Sequence, residues 1–406
     1  MFDVLIVGGG MVGASLACAL GKEHSNPLKV GLIEPNLELL QGEYGADGRA
    51  CAVALGSSWV WQAIGMWPQI LPEATPMHTI QISDQDFPWL IKLQRQQVEA
   101  AALGYVVENR VTLAAAWQLI RQSEHIQVFC PARVQEIDLQ EEGMRVKLSS
   151  GEYLHTKLLV AADGGRSQIR EFAQIPTVSH TYDQTCIVFN LKLEHSHHHI
   201  AYERFQASGP FAVLPLGTGD RCCVVWTAKA QEAAAILALP PTEFLAQVTQ
   251  RLGSELSQSF GKIALDTPPS SYQPRWMHSQ TYIQPRLVLV GDAAHSTHPV
   301  AGQGMNLGIR DIGVLAETLW HAHQTGADLG SLAVLRHYQQ RRRWHNFVVI
   351  WLTDVTNRLF SNQFLLLKLI RRLGLILLSW LPLKQLITKF LMGITLRRPR
   401  LPATMS

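Results

Sequence analysis

The sequence lacks the marks of several classes of protein. Its six cysteines include no C-x-x-C pair, so we predict reduced, mostly buried thiols and no disulfide framework. No secretory signal precedes the first apolar run, which begins almost at Met1, so we expect a cytoplasmic protein. Charged residues make up only 17% of the 406 residues and apolar residues 47%, which excludes a disordered chain and indicates a core large enough for two or three domains.

Acidic residues are absent from the last part of the chain, between Val355 and Ser406. This tail contains nine basic residues, so the net charge of +3 for the whole chain leaves −6 on the first 354 residues. The basic residues are Arg358, Lys368, Arg371, Arg372, Lys384, Lys389, Arg397, Arg398 and Arg400. The tail is also strongly apolar, but its charges interrupt every run well before the roughly 20 residues that span a bilayer.

A basic and apolar helical tail of this kind is typical of an anchor that lies on an anionic membrane surface. We therefore predict a peripheral protein on the inner face of the membrane. The alternative is a helical cap that packs on the core or on a partner subunit. Nucleic acid is excluded as a partner, because no recognition motif accompanies the positive charge.

The N-terminus carries the pattern of a dinucleotide site. An apolar strand at residues 3–7 leads into a G-x-G-x-x-G turn at Gly8, Gly10 and Gly13, and a helical segment follows. Gly8 permits the turn, Gly10 lets the backbone approach a pyrophosphate, and Gly13 lets helix and strand pack closely. A second strand ends at Glu34, whose carboxylate is placed to accept from a ribose hydroxyl.

Two later segments also run from an apolar strand into an acidic turn. The first contains Asp163-Gly164, followed by Ser167 and Arg170, and the second contains Gly291-Asp292. Either aspartate alone is as readily explained by capping of a turn. A Gly-rich turn that opens a helix then follows the second segment; it consists of Gly302, Gln303, Gly304, Met305 and Asn306.

In this order, the three motifs resemble those of the FAD-dependent aromatic hydroxylases, the class that includes p-hydroxybenzoate hydroxylase. The resemblance implies that Asp163 belongs to the cofactor site and that Asp292 binds ribityl or ribose hydroxyls. It also implies that the helix opened by Gly302 to Asn306 directs N–H groups at the flavin pyrimidine, where they would stabilise the negative charge of the reduced ring.

A closer resemblance, from about residue 2 to residue 343, is to the ubiquinone-biosynthesis hydroxylase family. It is carried by segments such as Asp47-Gly48-Arg49-Ala50, Leu103 to Asn109, Gly209 to Leu216 and His298 to Gly304. The family implies hydroxylation of a polyprenylated phenol of the 2-polyprenyl-6-methoxyphenol type. Its reaction uses FAD, NADH or NADPH as a transient donor, and O2, and proceeds through a flavin hydroperoxide. Other quinone-biosynthesis proteins are possible partners.

The same resemblance implies roles for four further residues. Arg49 and Arg110 are expected to contact FAD, and Pro299 to shape the wall beside the reactive face of the flavin. His298 is a candidate for assisting deprotonation of the phenol, because imidazole titrates in the required range. A histidine that only stabilises the turn is the alternative.

We predict an α/β fold, with a Rossmann-like FAD-binding domain, an inserted and mostly antiparallel β-sheet substrate domain, and a C-terminal helical tail. The FAD domain is expected at 1–75, 100–178 and 278–340, the substrate domain at 76–99 and 179–277, and the tail at 341–406. Two other functions stay open: a soluble FAD phenol hydroxylase, oxidase or halogenase, or a non-catalytic FAD-stabilised subunit. The histidines at 195 and 197–199 favour a solvated hairpin tip over a metal site, because consecutive strand residues face opposite ways.

Overall fold

The structure is a computed structural model. It describes residues 1–45, 48–84, 87, 90–362, 364–378, 381–394, 398 and 401. Asp47 of the family motif and Arg397 and Arg400 of the basic tail lie outside the described residues. The end of the predicted tail also lies outside them.

The strands follow one another along the chain in this order: β1 (Phe2–Val7), β2 (Val30–Ile33), β3 (Ala50–Ala54), β4 (Thr75–Met77), β5 (Thr79–Asp84), β6 (Ile91–Gln94), β7 (Gly104–Glu108), β8 (Ile126–Phe129), β9 (Val134–Leu139), β10 (Met144–Leu148), β11 (Tyr153–Ala161), β12 (Thr177–Thr181), β13 (Gln184–Leu193), β14 (Ile200–Gln206), β15 (Gly209–Leu216), β16 (Arg221–Lys229), β17 (Ile263–Leu265), β18 (Ser270–Tyr272), β19 (Arg275–Ser279), β20 (Ile283–Gln284), β21 (Leu287–Leu289) and β22 (His295–Ser296).

The α-helices are α1 (Met11–Leu20), α2 (Leu37–Gln41), α3 (Leu55–Ile64), α4 (Trp67–Ile70), α5 (Asn109–Gln122), α6 (Gln168–Phe172), α7 (Ala230–Leu237), α8 (Pro241–Phe260), α9 (Gln303–Gln324), α10 (Leu332–Phe360), α11 (Leu365–Leu378) and α12 (Leu381–Leu391). Short 3-10 helices lie at Leu71–Glu73, Arg95–Val98, Gly291–Ala293 and Val300–Gly302.

The first sheet contains the strands that lead into the predicted cofactor motifs. Strands β21, β11, β1, β2 and β8 are parallel neighbours, and β9, β10 and β20 extend the sheet with antiparallel pairs. Their apolar residues are buried on both faces, which is typical of a parallel sheet covered by helices. The carboxyl ends of β1, β11 and β21 therefore lie side by side at one edge, as a Rossmann-like domain requires.

The second large sheet has the order β17-β13-β16-β15-β14-β5-β6, and β18 also pairs with β13. Its pairs are antiparallel except for β14 with β5. Helices α7 and α8 cover one face and bury a separate core around Trp226 and Phe244. Strands β5 and β6 come from the early insert, so this sheet joins the two chain segments that we assigned to the substrate domain. The predicted fold class is confirmed.

Two three-stranded sheets connect the larger ones. Strands β3, β7 and β4 form one, and β12, β19 and β22 form the other. An apolar cluster that includes Met77, Val106, Ala201 and Leu216 joins β3 and β7 to the substrate sheet. Four of the five predicted domain limits fall in or near these connecting strands, whereas the limit between residues 340 and 341 falls inside α10. The division into domains stays a prediction.

Helix α10 is 29 residues long and runs from the FAD domain towards the substrate sheet. Its buried polar residues Arg342, Asn346, Thr353 and Asn357 recur at intervals of four or seven, so they share one face of the helix. At its end the Phe360 ring packs against Phe205 of β14, with centroids 4.2 Å apart.

The tail is helical, as predicted, and one side of it packs on the body of the protein. The Arg371 side chain is fully buried, and its Nε lies 2.8 Å from Oδ2 of the equally buried Asp84 at the end of β5. The guanidinium also donates to the carbonyl oxygens of Leu359, Phe360 and Asn362. Among the helices that the structure describes, none is both long enough and apolar enough to cross a bilayer.

Candidate active site

The glycine turn after β1 has the geometry that its sequence predicts. Gly8 adopts φ +104°, and a Cβ there would lie 2.5 Å from the carbonyl oxygen of Ala162. A Cβ on Gly13 would lie 1.9 Å from the carbonyl oxygen of Gly8, so only glycine lets α1 pack this closely on the turn. A Cβ on Gly10 would meet no atom within 4 Å. The open side of the turn is therefore at Gly10, where the N-terminus of α1 presents its N–H groups.

Glu34 holds this turn in place. One oxygen of its buried carboxylate accepts from the backbone N–H of Gly9, and the other accepts from that of Asn36. On the other side of the turn, the Trp117 indole donates to the carbonyl oxygen of Gly9 at 3.0 Å. The structure thus places Glu34 beside the turn, and gives it a backbone partner that the sequence did not indicate.

The Gly291-Asp292 turn lies against the same helix N-terminus. A Cβ on Gly291 would be 3.1 Å from the Val12 side chain, and one on Gly308 of α9 would be 2.8 Å from it. The Asp292 side chain is exposed, whereas its neighbours Gly291 and Ala293 are buried. Segments almost 300 residues apart in sequence therefore meet around one helix N-terminus, as we predicted from the two motifs.

Arg170 connects the Asp163 turn with the Asp292 turn. Its buried guanidinium donates to the carbonyl oxygens of Ala293, at 2.8 Å, and of Gly165, at 3.0 Å. Oδ2 of Asp163 accepts from the N–H of Ile169, while its Oδ1 is buried without a hydrogen-bond partner among the described residues. The sequence indicates only the spacing of Arg170 from Asp163, and does not predict that its side chain connects the two turns.

A buried ion network supports the Asp292 turn from below. Oδ2 of Asp311 on α9 accepts from the N–H of Gly291 and lies 2.6 Å from Nε2 of His295. Its Oδ1 accepts from Nε of Arg342 at 2.7 Å and from the Asn346 amide at 2.9 Å. Burial alone would raise the pKa of Asp311, but His295 and Arg342 hold it well below its ordinary value. The carboxylate stays charged and fixes the turn.

Asn306 joins the start of α9 to strand β3. Its Oδ1 accepts from the N–H of Ala54 at 2.8 Å, and its Nδ2 donates to the carbonyl oxygens of Ala52 and Gly302, each at 2.7 Å. Gly302 has φ +59°, and a Cβ there would lie 3.0 Å from that of Ala52. The Asn306 side chain is thus engaged by backbone, which leaves the N–H groups of this helix start for a ligand. Gln303 is buried beside it, Met305 packs on the main core, and Gly304 approaches Thr297.

The assembled turns fit a flavin dinucleotide. They offer an open helix N-terminus for a pyrophosphate at Gly10, exposed and orphaned carboxylates for hydroxyl groups at Asp292 and Asp163, and a second helix start at Gly302. Residues 1–349 match the family model described as FAD binding domain. The chain belongs to this FAD-binding family.

Two relatives of this FAD-binding family place it more narrowly. Over 404 residues the chain is 37% identical to ubiquinone hydroxylase UbiL of Rhodospirillum rubrum. The aligned region covers 99% of this chain and 92% of UbiL. Over 420 residues it is 31% identical to the mitochondrial ubiquinone biosynthesis monooxygenase COQ6 of Danio rerio. That alignment covers 92% of this chain and 86% of COQ6. The predicted membership of the ubiquinone-biosynthesis hydroxylase family is confirmed. The prediction that the protein is an FAD-dependent monooxygenase, with NAD(P)H and O2 as cosubstrates, is confirmed as well.

A solved structure agrees on the fold. That of p-nitrophenol 4-monooxygenase PnpA from Pseudomonas putida superposes with a TM-score of 0.77, covering 97% of this chain and 98% of PnpA at 19% identity.

The two arginines expected to contact FAD are close along the backbone, because the N–H of Asn109 donates to the carbonyl oxygen of Arg49 at 2.9 Å. Arg110, in the first turn of α5, donates to Glu108 and, at 2.8 Å, to Glu73, and borders a cleft with Gly42 and Tyr44. Arg49 is exposed at the start of β3. Their contacts with the cofactor stay a prediction.

The two residues expected to act in catalysis follow β22. Pro299 is half-buried and precedes the short 3-10 helix that leads to Gly302. The His298 ring is fully buried, stands edge-on to Tyr182, and pairs through Nε2 with Oε1 of Gln184 at 3.2 Å. Burial lowers the pKa of His298 to about 3, against a smaller opposing effect of Asp354. The ring is therefore neutral at physiological pH, with the Nε2 proton directed at Gln184.

Proposed function

We propose that this monooxygenase hydroxylates the ring of a polyprenylated phenol, of the 2-polyprenyl-6-methoxyphenol type, in ubiquinone biosynthesis. The observation that carries the proposal is the 37% identity with UbiL over nearly the whole of both chains, together with the assembled flavin turns. FAD, when bound and reduced by NADH or NADPH, supplies the activated oxygen for the ring. The chain itself binds the cofactor, orients the phenol and excludes water.

The surroundings of the Gly302 turn favour an apolar substrate. Ala52, which contacts Gly302, belongs to the apolar cluster between β3, β7 and the substrate sheet. Half-buried Leu214 and Ile80 of the substrate sheet extend that cluster. An aromatic ring that lies between this sheet and the flavin would meet aliphatic side chains on the sheet side, which suits a prenylated phenol better than a charged aromatic acid.

His298 remains our candidate for the residue that assists the phenol, and its burial defines the form in which it acts. Because Nε2 donates to Gln184, Nδ1 carries no proton, and it has no hydrogen-bond partner among the described residues. Nδ1 would accept a hydrogen bond from the phenol hydroxyl and so favour the phenolate. Pro299 shapes the wall next to it.

Anaerobic reduction of the purified flavoprotein by NADH or NADPH, with 2-polyprenyl-6-methoxyphenol present, tests the reaction. We expect that the phenol speeds flavin reduction and that, after oxygen is admitted, the product contains one additional oxygen atom by mass spectrometry. Release of hydrogen peroxide with unchanged phenol would show that another substrate, or no substrate, belongs to this site.

The His298→Asn variant in the same assay tests the proposed hydrogen bond. We expect kcat to fall by about 100- to 10,000-fold while flavin content is kept, because general acid–base contributions are of about that size. The pH profile between about pH 5 and 8 should be unchanged, because a group with so low a pKa does not titrate there. A variant that loses an ionisation near neutral pH would contradict the neutral ring.

We also propose that the outer side of the tail rests on a membrane. On α11, the exposed residues Leu366, Leu369, Ile370, Leu373 and Leu377 share one face, opposite the buried Arg371. Leu369 is 51% exposed and Leu373 60%. An apolar helix face with basic neighbours and no acids suits an anionic leaflet, from which a prenylated substrate would also arrive.

Co-sedimentation with vesicles that contain phosphatidylglycerol tests this surface. The double variant Leu369→Glu and Leu373→Glu should bind at least about tenfold more weakly, because burial of each leucine contributes roughly 1.5–3 kcal/mol. Its FAD content should not change. Leu139→Glu, at a 55% exposed position on β9, is the matched control and should sediment like the parent. Equal binding by the double variant would remove the membrane proposal.

A further inference from the structure

A crevice lined by four arginines lies outside the flavin site, between α3, α9, α10 and the end of the tail. It has a volume of about 70 Å³, which suits a single small group. Its charged lining residues are Arg310, Arg341, Arg342, Arg398 and Glu317. Such a density of guanidinium groups is unusual without a bound anion, because like charges in a partly buried site repel one another.

Two of the four arginines are neutralised by carboxylates. Arg341 pairs with Glu317 at 3.0 Å, and Arg342 pairs with Asp311 at 2.7 Å. For Arg310 and Arg398, the described part of the chain offers no carboxylate within ion-pair distance. The crevice therefore keeps an excess of positive charge.

Of these two arginines, Arg310 gives the stronger indication that the crevice binds a ligand. It is 95% buried, since only 5% of its surface is exposed, and its Nε has no hydrogen-bond partner among the described residues. One terminal nitrogen makes a long hydrogen bond of 3.5 Å to the carbonyl oxygen of Leu391 at the end of α12. Burial, and then repulsion by Arg342, lowers the pKa of Arg310 to about 9. A buried guanidinium in this state is stabilised by an anion that reaches it.

The backbone around Arg310 keeps the guanidinium at the crevice. Gly393 has φ +67°, and a Cβ there would lie 2.2 Å from a terminal nitrogen of Arg310. A Cβ on Gly56 would in turn lie 2.5 Å from the carbonyl oxygen of Gly393. On the open side, the Arg398 guanidinium lies 4.0 Å from the centroid of the Trp59 ring, which fixes a second cation at the entrance.

We propose that the arginine crevice binds a phosphate group through Arg310 and Arg398. Guanidinium pairs bind the oxygens of phosphate in a fixed fork geometry, and the crevice volume limits the ligand to a phosphate-sized headgroup at its inner end. The phosphate belongs either to a lipid headgroup or to a soluble phosphate. Arg341 and Trp344 are three residues apart on α10, so the crevice opens beside an indole that is 69% exposed. That position is suited to a headgroup at a membrane surface.

The test uses the FAD-loaded protein and two variants, Arg398→Gln and Arg310→Gln. Arg398 is exposed, so its variant is expected to fold normally even if the buried Arg310→Gln variant does not. Arg336→Gln removes an exposed charge from α10 and is the matched control. The first readout is the shift of Tm with inorganic phosphate at constant ionic strength, and the second is affinity for phosphatidylglycerol vesicles with and without inorganic phosphate.

For a soluble phosphate, we expect Tm to rise with inorganic phosphate in the parent and in Arg336→Gln, and the affinity derived from this rise to fall about tenfold in Arg398→Gln. For a lipid headgroup, Arg398→Gln should bind vesicles about tenfold more weakly than Arg336→Gln, and inorganic phosphate should compete. If both readouts are the same in Arg398→Gln and Arg336→Gln, the crevice is not a phosphate site. That result would leave the hydroxylase reaction and the apolar face of α11 untouched.

Discussion

Replacement of Asp292 by alanine is expected to give a protein that purifies with little bound FAD. The Asp292 carboxylate is exposed at the turn that packs on the first turn of α1, where the flavin-side hydroxyl groups of the dinucleotide are expected. The acid below it, Asp311, cannot replace it, because both of its oxygens are engaged. Each hydrogen bond to a charged acceptor contributes roughly 1.5–3 kcal/mol, so affinity for FAD should fall about 10- to 150-fold per bond lost.

The measurement is the ratio of flavin absorbance to protein after purification, followed by titration of the variant with FAD. Asp292→Asn keeps an acceptor oxygen and should lose less. Asp183→Ala, which removes an exposed carboxylate next to β13, should retain the FAD content of the parent. A bright yellow Asp292→Ala protein with nearly one FAD per chain would refute the assignment of this carboxylate.

The Arg371→Met variant should be among the least stable single variants of this chain. It would leave the fully buried Asp84 without the guanidinium at 2.8 Å, and only Arg372, at 3.7 Å, would remain close. Removing one partner of a buried ion pair costs about 3–5 kcal/mol, because the other charge stays buried. The three carbonyl groups that Arg371 also satisfies add to that cost.

Urea unfolding of the FAD-loaded variants measures this effect. Arg358→Met breaks an exposed pair with Asp354 on α10 and should cost no more than about 1 kcal/mol. The double variant Asp84→Leu and Arg371→Met should recover part of the loss, because no unpaired charge remains in the core. If Arg371→Met and Arg358→Met unfold at the same urea concentration, the tail does not depend on this ion pair.

The sequence was sufficient to predict features whose cause is local. The structural roles of Gly8 and Gly13 follow from their spacing alone, because each glycine meets a backbone requirement within one strand-turn-helix unit. The contact of Gly10 with a pyrophosphate stays a prediction. The order of the acidic turns predicted that they would meet, because parallel strands place their carboxyl ends at one edge of a sheet. The family followed from the same motifs.

Features that depend on distant partners were not predicted. Asp311 and Arg342 are 31 residues apart on different helices, and neither belongs to a recognisable motif. Arg371 was counted with the basic residues of a membrane anchor, yet its partner Asp84 lies 287 positions earlier. From the sequence, a membrane anchor and a packed helical cap are alternative predictions for the tail. The structure packs one face of α11 on the core and exposes the other, so a cap and an anchor are compatible.

Helix α10 sets the spacing between the two halves of the proposed active site. Arg342 and Asn346 bind below the Asp292 turn, while Asn357 donates to the Gln184 side chain that also pairs with His298. A single residue inserted between these two sets of contacts would rotate one set by about 100° relative to the other. Within α10, insertions and deletions should therefore be tolerated far less than substitutions, since the helix sets the distance between the Asp292 turn and the Gln184–His298 pair.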